Sequence, residues 1–188
     1  MKKEPFVPSL GSDVIKKFCQ LCDWAYQSWL MQRTLFDDNP NLYVLEKDSF
    51  QRFFSLLNNV TLEYALQQLI KLHDPAIMNG KINLTINCIV QYGDWEKKVR
   101  TDLKSLSDEL ELLAGCLRAA RNKVLSHNDF LACMENVPIG CFEENKDRDY
   151  FDKLQEFVNI VHDKTIGGPY PFDSLVQSYT REFLSALK

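Results

Sequence analysis

An arginine and a histidine stand six positions apart in the segment RAARNKVLSHNDF, residues 118–130. The guanidinium of Arg121 is permanently charged and can bind two phosphate oxygens at once. The imidazole of His127 titrates near neutrality, so it can accept or donate a proton. These two groups come close to the minimum needed to cleave an RNA phosphodiester without a metal. The base deprotonates the 2′-hydroxyl, and the guanidinium stabilises charge on the phosphate during attack.

The neighbouring side chains fit the same chemistry. Asn122 can orient the imidazole or the phosphate, and Lys123 and Arg118 add local positive charge. We therefore take Asn122, Lys123 and Arg118 as candidate binding residues. One histidine does not easily serve as base and acid in the same step, so a second copy of the chain would help.

Helix geometry leaves a second interpretation open. A six-residue step on an ideal helix turns about 600°, which places Arg121 and His127 about 120° apart. They converge only if the helix bends or ends near Ser126, or if the long arginine side chain reaches around it. Basic residues in a last turn also favour the negative end of a helix, by about 0.3–1 kcal/mol. A histidine there can simply cap carbonyl groups.

The elements that position this segment are predicted to be helices. Apolar residues recur at helical spacing in stretches that begin near Asp13, Ser49, Leu84, Trp95, Lys146 and Ser174. The fourth is predicted as one long helix, or as two with a joint near Ser105 to Ser107. The fold class is therefore all-α, an up-and-down helical bundle of four or five helices. We divide the chain into a tail at 1–12, the bundle at 13–163 and a C-terminal helical extension at 164–188.

The second long helix carries an unusually aromatic stripe. Phe50, Phe53, Phe54, Leu57, Val60 and Tyr64 are predicted on its buried side, together with Leu66, Leu69 and Leu72. The spacing of Phe50, Phe53, Phe54 and Leu57 favours a core or a dimer interface over a ligand site. Trp24 and Trp29 are five residues apart on the first helix, so one of them is expected to be partly exposed.

Composition excludes several classes of protein. The net charge of −4 and the pI of about 5.4 argue against a broad basic surface that coats nucleic acid, so any RNA contact must be local. Six cysteines lack zinc spacing and are predicted to be reduced and mostly buried. The pairs His73-Asp74 and His162-Asp163 are predicted to end helices and not to bind metal. No signal peptide or membrane-spanning run is found, and we expect a cytoplasmic protein.

The Arg–His segment and two further stretches of the sequence together resemble a known family. Arg121 and Asn122, followed by KVLS and His127 in an all-α chain, resemble the motif of the HEPN superfamily. With LHDPA at 72–76 and GKINLT at 80–85, the chain resembles the HEPN branch related to abortive-infection U-type (AbiU2-like) proteins. The resemblance extends over about residues 13–163.

This resemblance implies a helical bundle that forms a homodimer, with the two motifs facing a shared cleft. It implies a metal-independent endoribonuclease with an RNA substrate, acting in a toxin–antitoxin or phage-defence system, with an antitoxin protein as a further partner. Arg121 and His127 are then expected to be catalytic, Asn122 to support them, and no cofactor or metal to be needed. Some members of the superfamily are non-catalytic, so the alternative is a helical interaction or nucleotide-binding module.

Overall fold

A computed structural model describes residues 9–45, 50–120, 142–143 and 145–187. These residues form mostly α-helices, with one very small hairpin, which confirms the all-α prediction. In chain order the elements are α1 (Ser12–Leu35), α2 (Leu42–Leu45), α3 (Gln51–Leu72), β1 (Ile77–Met78), β2 (Lys81–Ile82), α4 (Ile86–Tyr92), α5 (Lys97–Leu113), α6 (Gly115–Ala120), α7 (Lys146–Thr165) and α8 (Leu175–Ala186).

Helix α1 is the central element of the bundle, because α3, α7 and α8 all pack along it. Helix α3 runs antiparallel to α1: Trp24 bonds to Tyr64, and Gln32 bonds to Asn58. Helix α7 is also antiparallel to α1, and α5 packs against α7. Helix α8 runs parallel to α1 from Asp23, whose carboxylate accepts a hydrogen bond of 2.8 Å from the backbone of Asp173.

The main core lies where α1, α3, α4, α5 and α7 meet. Its largest fully buried side chains include Phe18, Leu66, Ile89, Leu103 and Phe157. Each such side chain stabilises the fold by about 1.5–3 kcal/mol relative to an exposed position. A second, smaller cluster at the end of α1 consists of Leu35, Phe36, Leu45 and Phe54.

The predicted buried side of α3 is only partly correct. Phe54, Leu66, Leu69 and Leu72 are buried, but Phe50, Phe53, Val60 and Tyr64 are exposed. The exposed side chains occupy an adjacent strip of the helix surface, because α1 covers only one side of a helix that is apolar over a wider arc. The prediction was therefore wrong for those four residues.

Two local features follow the long helices. Within residues 74–82, β1 and β2 pair as an antiparallel hairpin. Its two-residue turn, Asn79-Gly80, has positive φ at both positions (53° and 75°), as a type I′ turn requires. The helix joint lies at Ala114 and not near Ser105 to Ser107, where the i,i+4 pair Lys104–Asp108 spans an unbroken helix.

Within the described ranges no helix is long and apolar enough to cross a membrane. Helix α8, which falls inside the predicted C-terminal extension, packs along α1 through its buried residue Thr180. The division of the chain at residues 163 and 164 remains a prediction.

Candidate functional site

The predicted catalytic and binding residues fall largely outside the described part of the chain. Arg121, Asn122, Lys123 and His127 are in this group. Arg118 lies in α6, but its side chain is likewise outside the description. The structure therefore informs the candidate site through the residues on either side of it.

Both flanks of the motif-bearing segment are fixed to the main core. On the N-terminal side, Ala114 and Leu117 are buried, and Leu117 has no exposed surface. On the C-terminal side, the ring of Phe142 packs edge-on against Trp29, with ring centroids 5.2 Å apart. Phe142 also contacts Tyr150, with the same separation between ring centroids. The segment that carries Arg121 and His127 thus leaves from and returns to one packed core.

A cluster of ion pairs stabilises the start of α7, a few residues after Phe142 in the chain. Arg33, in the last turn of α1, pairs with Asp147 of α7 at 2.6 Å and with Asp38 at 2.7 Å. The indole Nε1 of Trp29 donates a further bond of 3.1 Å to Asp147. The hydrogen bond to Asp38 is the main reason why the pKa of Arg33 is raised, so this guanidinium has a structural role. The cluster connects the end of α1 to the start of α7.

A buried histidine lies deeper in the core. Nε2 of His73 is 2.8 Å from the hydroxyl of Tyr150, and Nδ1 is 3.3 Å from Glu111. Burial raises the pKa of Tyr150 well above its ordinary value, so the phenol stays protonated. His73 directly follows the last residue of α3, as expected, but its ring contributes to the core as well as ending the helix.

Among the residues that the structure describes, His162 has a structural partner and most of the cysteines are buried. Nδ1 of His162 lies 2.8 Å from the backbone oxygen of Gly168, close to the end of α7. Cys19 and Cys22 are free and buried, and burial raises the pKa of Cys19 to about 12. Cys116 is exposed. In the part of the chain that the structure covers, no three His, Cys, Asp or Glu side chains are grouped so as to hold a metal ion.

A row of apolar side chains is exposed on α3. It comprises Phe53, Leu56, Val60 and Tyr64, which are 42–64% exposed, and it continues onto α1 through Trp24, which is 53% exposed. We call these five residues the α3 face. Helix α8 carries a second exposed row, Leu175, Tyr179 and Phe183. A contiguous apolar patch of this kind marks an interaction site more often than an accident of the surface.

A cavity of about 310 Å³ lies between the end of α1, α2 and the start of α3. Its apolar lining residues are Phe36, Leu42, Leu45 and Phe54. Its polar lining residues are Asp37, Gln51, Ser55 and Asn58. We call this space the α1–α3 cavity. The sequence alone does not reveal it, because its lining residues come from separate segments of the chain.

The polar groups of the α1–α3 cavity have unused hydrogen-bonding capacity. Gln32 donates from Nε2 to Oδ1 of Asn58 at 3.1 Å, and Nδ2 of Asn58 makes no hydrogen bond with the residues described. Oε1 of Gln32 is buried without a partner among those same residues. Partial burial raises the pKa of Asp37, while nearby Arg33 acts in the opposite direction. Buried polar groups are normally satisfied, so the oxygen of Gln32 is an exception, although Gln32 contacts the cavity only through its bond to Asn58.

The helical bundle, with a candidate Arg–His motif directly after α6, defines an HEPN-like fold. The family model HEPN_AbiU2, described as AbiU2, matches residues 12–184. The chain therefore belongs to the AbiU2 family of HEPN proteins. No curated protein and no solved structure matches the chain significantly.

Proposed function

We propose that this protein is a metal-independent endoribonuclease of the HEPN type that acts in abortive infection or as a toxin in the cytoplasm. Membership of the AbiU2 family is the observation that carries the proposal, because the matched range 12–184 includes both Arg121 and His127. The family assignment supports an HEPN, abortive-infection-associated role. The chemistry of the two side chains supports the finer assignment to RNA cleavage.

In the proposed reaction, the imidazole of His127 takes the proton of a ribose 2′-hydroxyl. The resulting oxygen attacks the adjacent phosphorus, and the bond from phosphorus to the 5′-oxygen breaks. The products are a 2′,3′-cyclic phosphate and a 5′-hydroxyl, which takes up a proton. The guanidinium of Arg121 binds the phosphate oxygens as negative charge develops on them. Asn122, Lys123 and Arg118 hold the backbone of the RNA.

The anchored flanks support this arrangement. Two groups of a catalytic pair must be held near their productive geometry, and rigid elements do this better than free loops. Leu117 fixes the helix that leads into the motif, and Phe142 fixes the chain that leaves it. The connection from α1 through Arg33 to Asp147 holds the exit side in place.

We further propose a homodimer built on the α3 face, which would supply a second Arg–His pair. Aromatic side chains contribute about 150–250 Å² each when fully buried, and Val and Leu contribute less. The α3 face contains three aromatic and two aliphatic side chains, each about half exposed. This face alone therefore offers roughly 400 Å² per copy, and neighbouring surface supplies the rest of the about 800 Å² per copy that a specific interface buries. An antitoxin protein is a further proposed partner, and the dimer does not depend on it.

The direct test is cleavage of single-stranded RNA in EDTA by purified protein. Wild type is expected to cleave, and Arg121→Ala and His127→Ala are expected to lose at least about 100-fold in rate. His162→Ala is the matched control, because it removes a histidine that bonds to Gly168, and it is expected to keep wild-type activity.

Absence of cleavage in wild type, or equal cleavage by His127→Ala, would contradict the nuclease. The protein would then be a non-catalytic helical interaction module. The exposed α3 face favours that second candidate, since it would bind a partner whether or not the Arg–His motif is catalytically active.

A further inference from the structure

The α1–α3 cavity joins aromatic walls to a convergent set of hydrogen-bonding groups. Rings of Phe36 and Phe54 line it, and both residues belong to the smaller core cluster, so the wall is fixed. The volume of about 310 Å³ is at the lower end of the range for ligand sites, which suits a group the size of one nucleobase. The lining holds as many polar as apolar residues, so directed hydrogen bonds, and not hydrophobic burial alone, would select the ligand.

We propose that the α1–α3 cavity binds a guanine base of single-stranded RNA. The carboxylate of Asp37 accepts hydrogen bonds only, and guanine presents two adjacent donors, N1–H and the N2 amino group. The adjoining edge of guanine carries the acceptors O6 and N7. Nδ2 of Asn58 and the hydroxyl of Ser55 are donors in the same lining, and the base plane would pack on the phenylalanine rings.

The same groups discriminate against the other bases. Adenine presents an unprotonated N1 where guanine has N1–H, so a carboxylate would face a lone pair. Cytosine and uracil are smaller and offer the carboxylate one donor group at most in this arrangement. A carboxylate that faces a lone pair instead of two donors gives up both hydrogen bonds, and this disfavours adenine.

The position of the cavity connects it to the candidate catalytic segment. Asp37 lies one turn beyond Arg33, which pairs with Asp147 at the start of α7. Asp147 follows Phe142 by five residues, and Phe142 marks the return from the segment that carries His127. A base bound here would thus lie near the flank of that segment. The identification of the base as part of RNA rests on the proposed ribonuclease function, but the pocket itself does not.

Asp37 lines the cavity and keeps exposed surface, so a ligand can reach its carboxylate. The raised pKa of this side chain shows that its charged form is less well solvated than usual. Donors from a ligand would replace the missing water. No ion pair or hydrogen bond to the Asp37 side chain is found in the described ranges.

The test is isothermal titration calorimetry with guanosine 5′-monophosphate, performed in EDTA on the full chain carrying His127→Ala. We expect binding at least about 10-fold tighter than for adenosine, cytidine or uridine 5′-monophosphate. Asp37→Asn in the same background is expected to lose that preference, and Ser55→Ala to weaken binding about 3- to 10-fold. Asp102→Asn is the control, because Asp102 is an exposed residue of α5 that does not line the cavity.

The outcomes separate the pocket from the nuclease. Equal binding of all four nucleotides, or unchanged guanosine monophosphate binding by Asp37→Asn with a native circular dichroism spectrum, would overturn the pocket even if the wild-type protein cleaves RNA. Selective guanosine monophosphate binding by a protein that cleaves no RNA would support the pocket and contradict only the ribonuclease.

Discussion

The indole Nε1 of Trp24 donates a hydrogen bond of 2.7 Å to the hydroxyl of Tyr64. Both rings are about half exposed, and the bond connects α1 to α3 across 40 residues of sequence. Two aromatic rings on a protein surface thus hold each other in place. The surface they form is ordered before any partner arrives, which lowers the entropy cost of association.

Substitution of Val60 by glutamate is expected to convert the proposed dimer to a monomer. Val60 lies in the α3 face, and a two-fold interface would bury the new carboxylate of each copy against apolar surface. The dissociation constant is expected to rise at least about 100-fold. Sedimentation velocity across a range of protein concentrations measures this directly.

Leu112→Glu is the matched control for that experiment. Leu112 is 82% exposed on α5, outside the α3 face, so the same type of substitution should leave the dimer intact. A wild-type chain that sediments as a monomer at high concentration would contradict the dimer. So would equal effects of the two substitutions.

Truncation of Leu117 is expected to destabilise the chain by about 2–5 kcal/mol, because Leu117→Ala leaves a cavity in the main core. The same truncation at exposed Leu112 is expected to change stability by less than about 0.5 kcal/mol. Urea unfolding followed by circular dichroism compares the two variants. Similar losses at both positions would contradict the idea that Leu117 anchors the helix leading into the motif.

Asp37→Asn is expected to raise the melting temperature at pH 7. The folded pKa of Asp37 is raised, so folding favours its protonated form. Its contribution to stability is therefore most favourable below the unfolded pKa and declines as pH rises through the folded pKa. The gain from Asp37→Asn should shrink towards zero near pH 3, where the carboxyl is protonated in both states.

Thermal unfolding at pH 3 and pH 7 checks this behaviour, with Asp102→Asn as the control. A melting temperature at pH 7 that falls in Asp37→Asn would mean that the carboxylate stabilises the free protein. It would then have a structural role, and the partly desolvated ligand group inferred for the α1–α3 cavity would be contradicted.

The helices were predictable because each buries one side at regular spacing. Ile15, Phe18, Cys22 and Ala25 of α1 are all fully buried, as the helical period requires. On α3, by contrast, the sequence could not separate core from surface. Phe53 and Phe54 are chemically identical neighbours, and only the placement of α1 decides that one is exposed and the other is buried.

Only part of the candidate site could be predicted from the sequence. Arg121, Asn122 and His127, taken together with LHDPA at 72–76 and GKINLT at 80–85, indicated the family, and a match over residues 12–184 confirmed it. The roles of these residues remain predictions. The α1–α3 cavity was not predictable, because Asp37 and Asn58 are 21 positions apart and meet only when the end of α1 packs on the start of α3.

The most direct test of the central claim is the chemistry of the cut ends. An RNA oligonucleotide is cleaved in EDTA, and its products are identified by mass spectrometry, beside a copy with a 2′-deoxy nucleotide at the cleaved position. We expect 2′,3′-cyclic phosphate ends that depend on His127, and no cut at the deoxy position. Equal cutting at the deoxy position, or products that His127→Ala forms equally fast, would contradict the role proposed for Arg121 and His127.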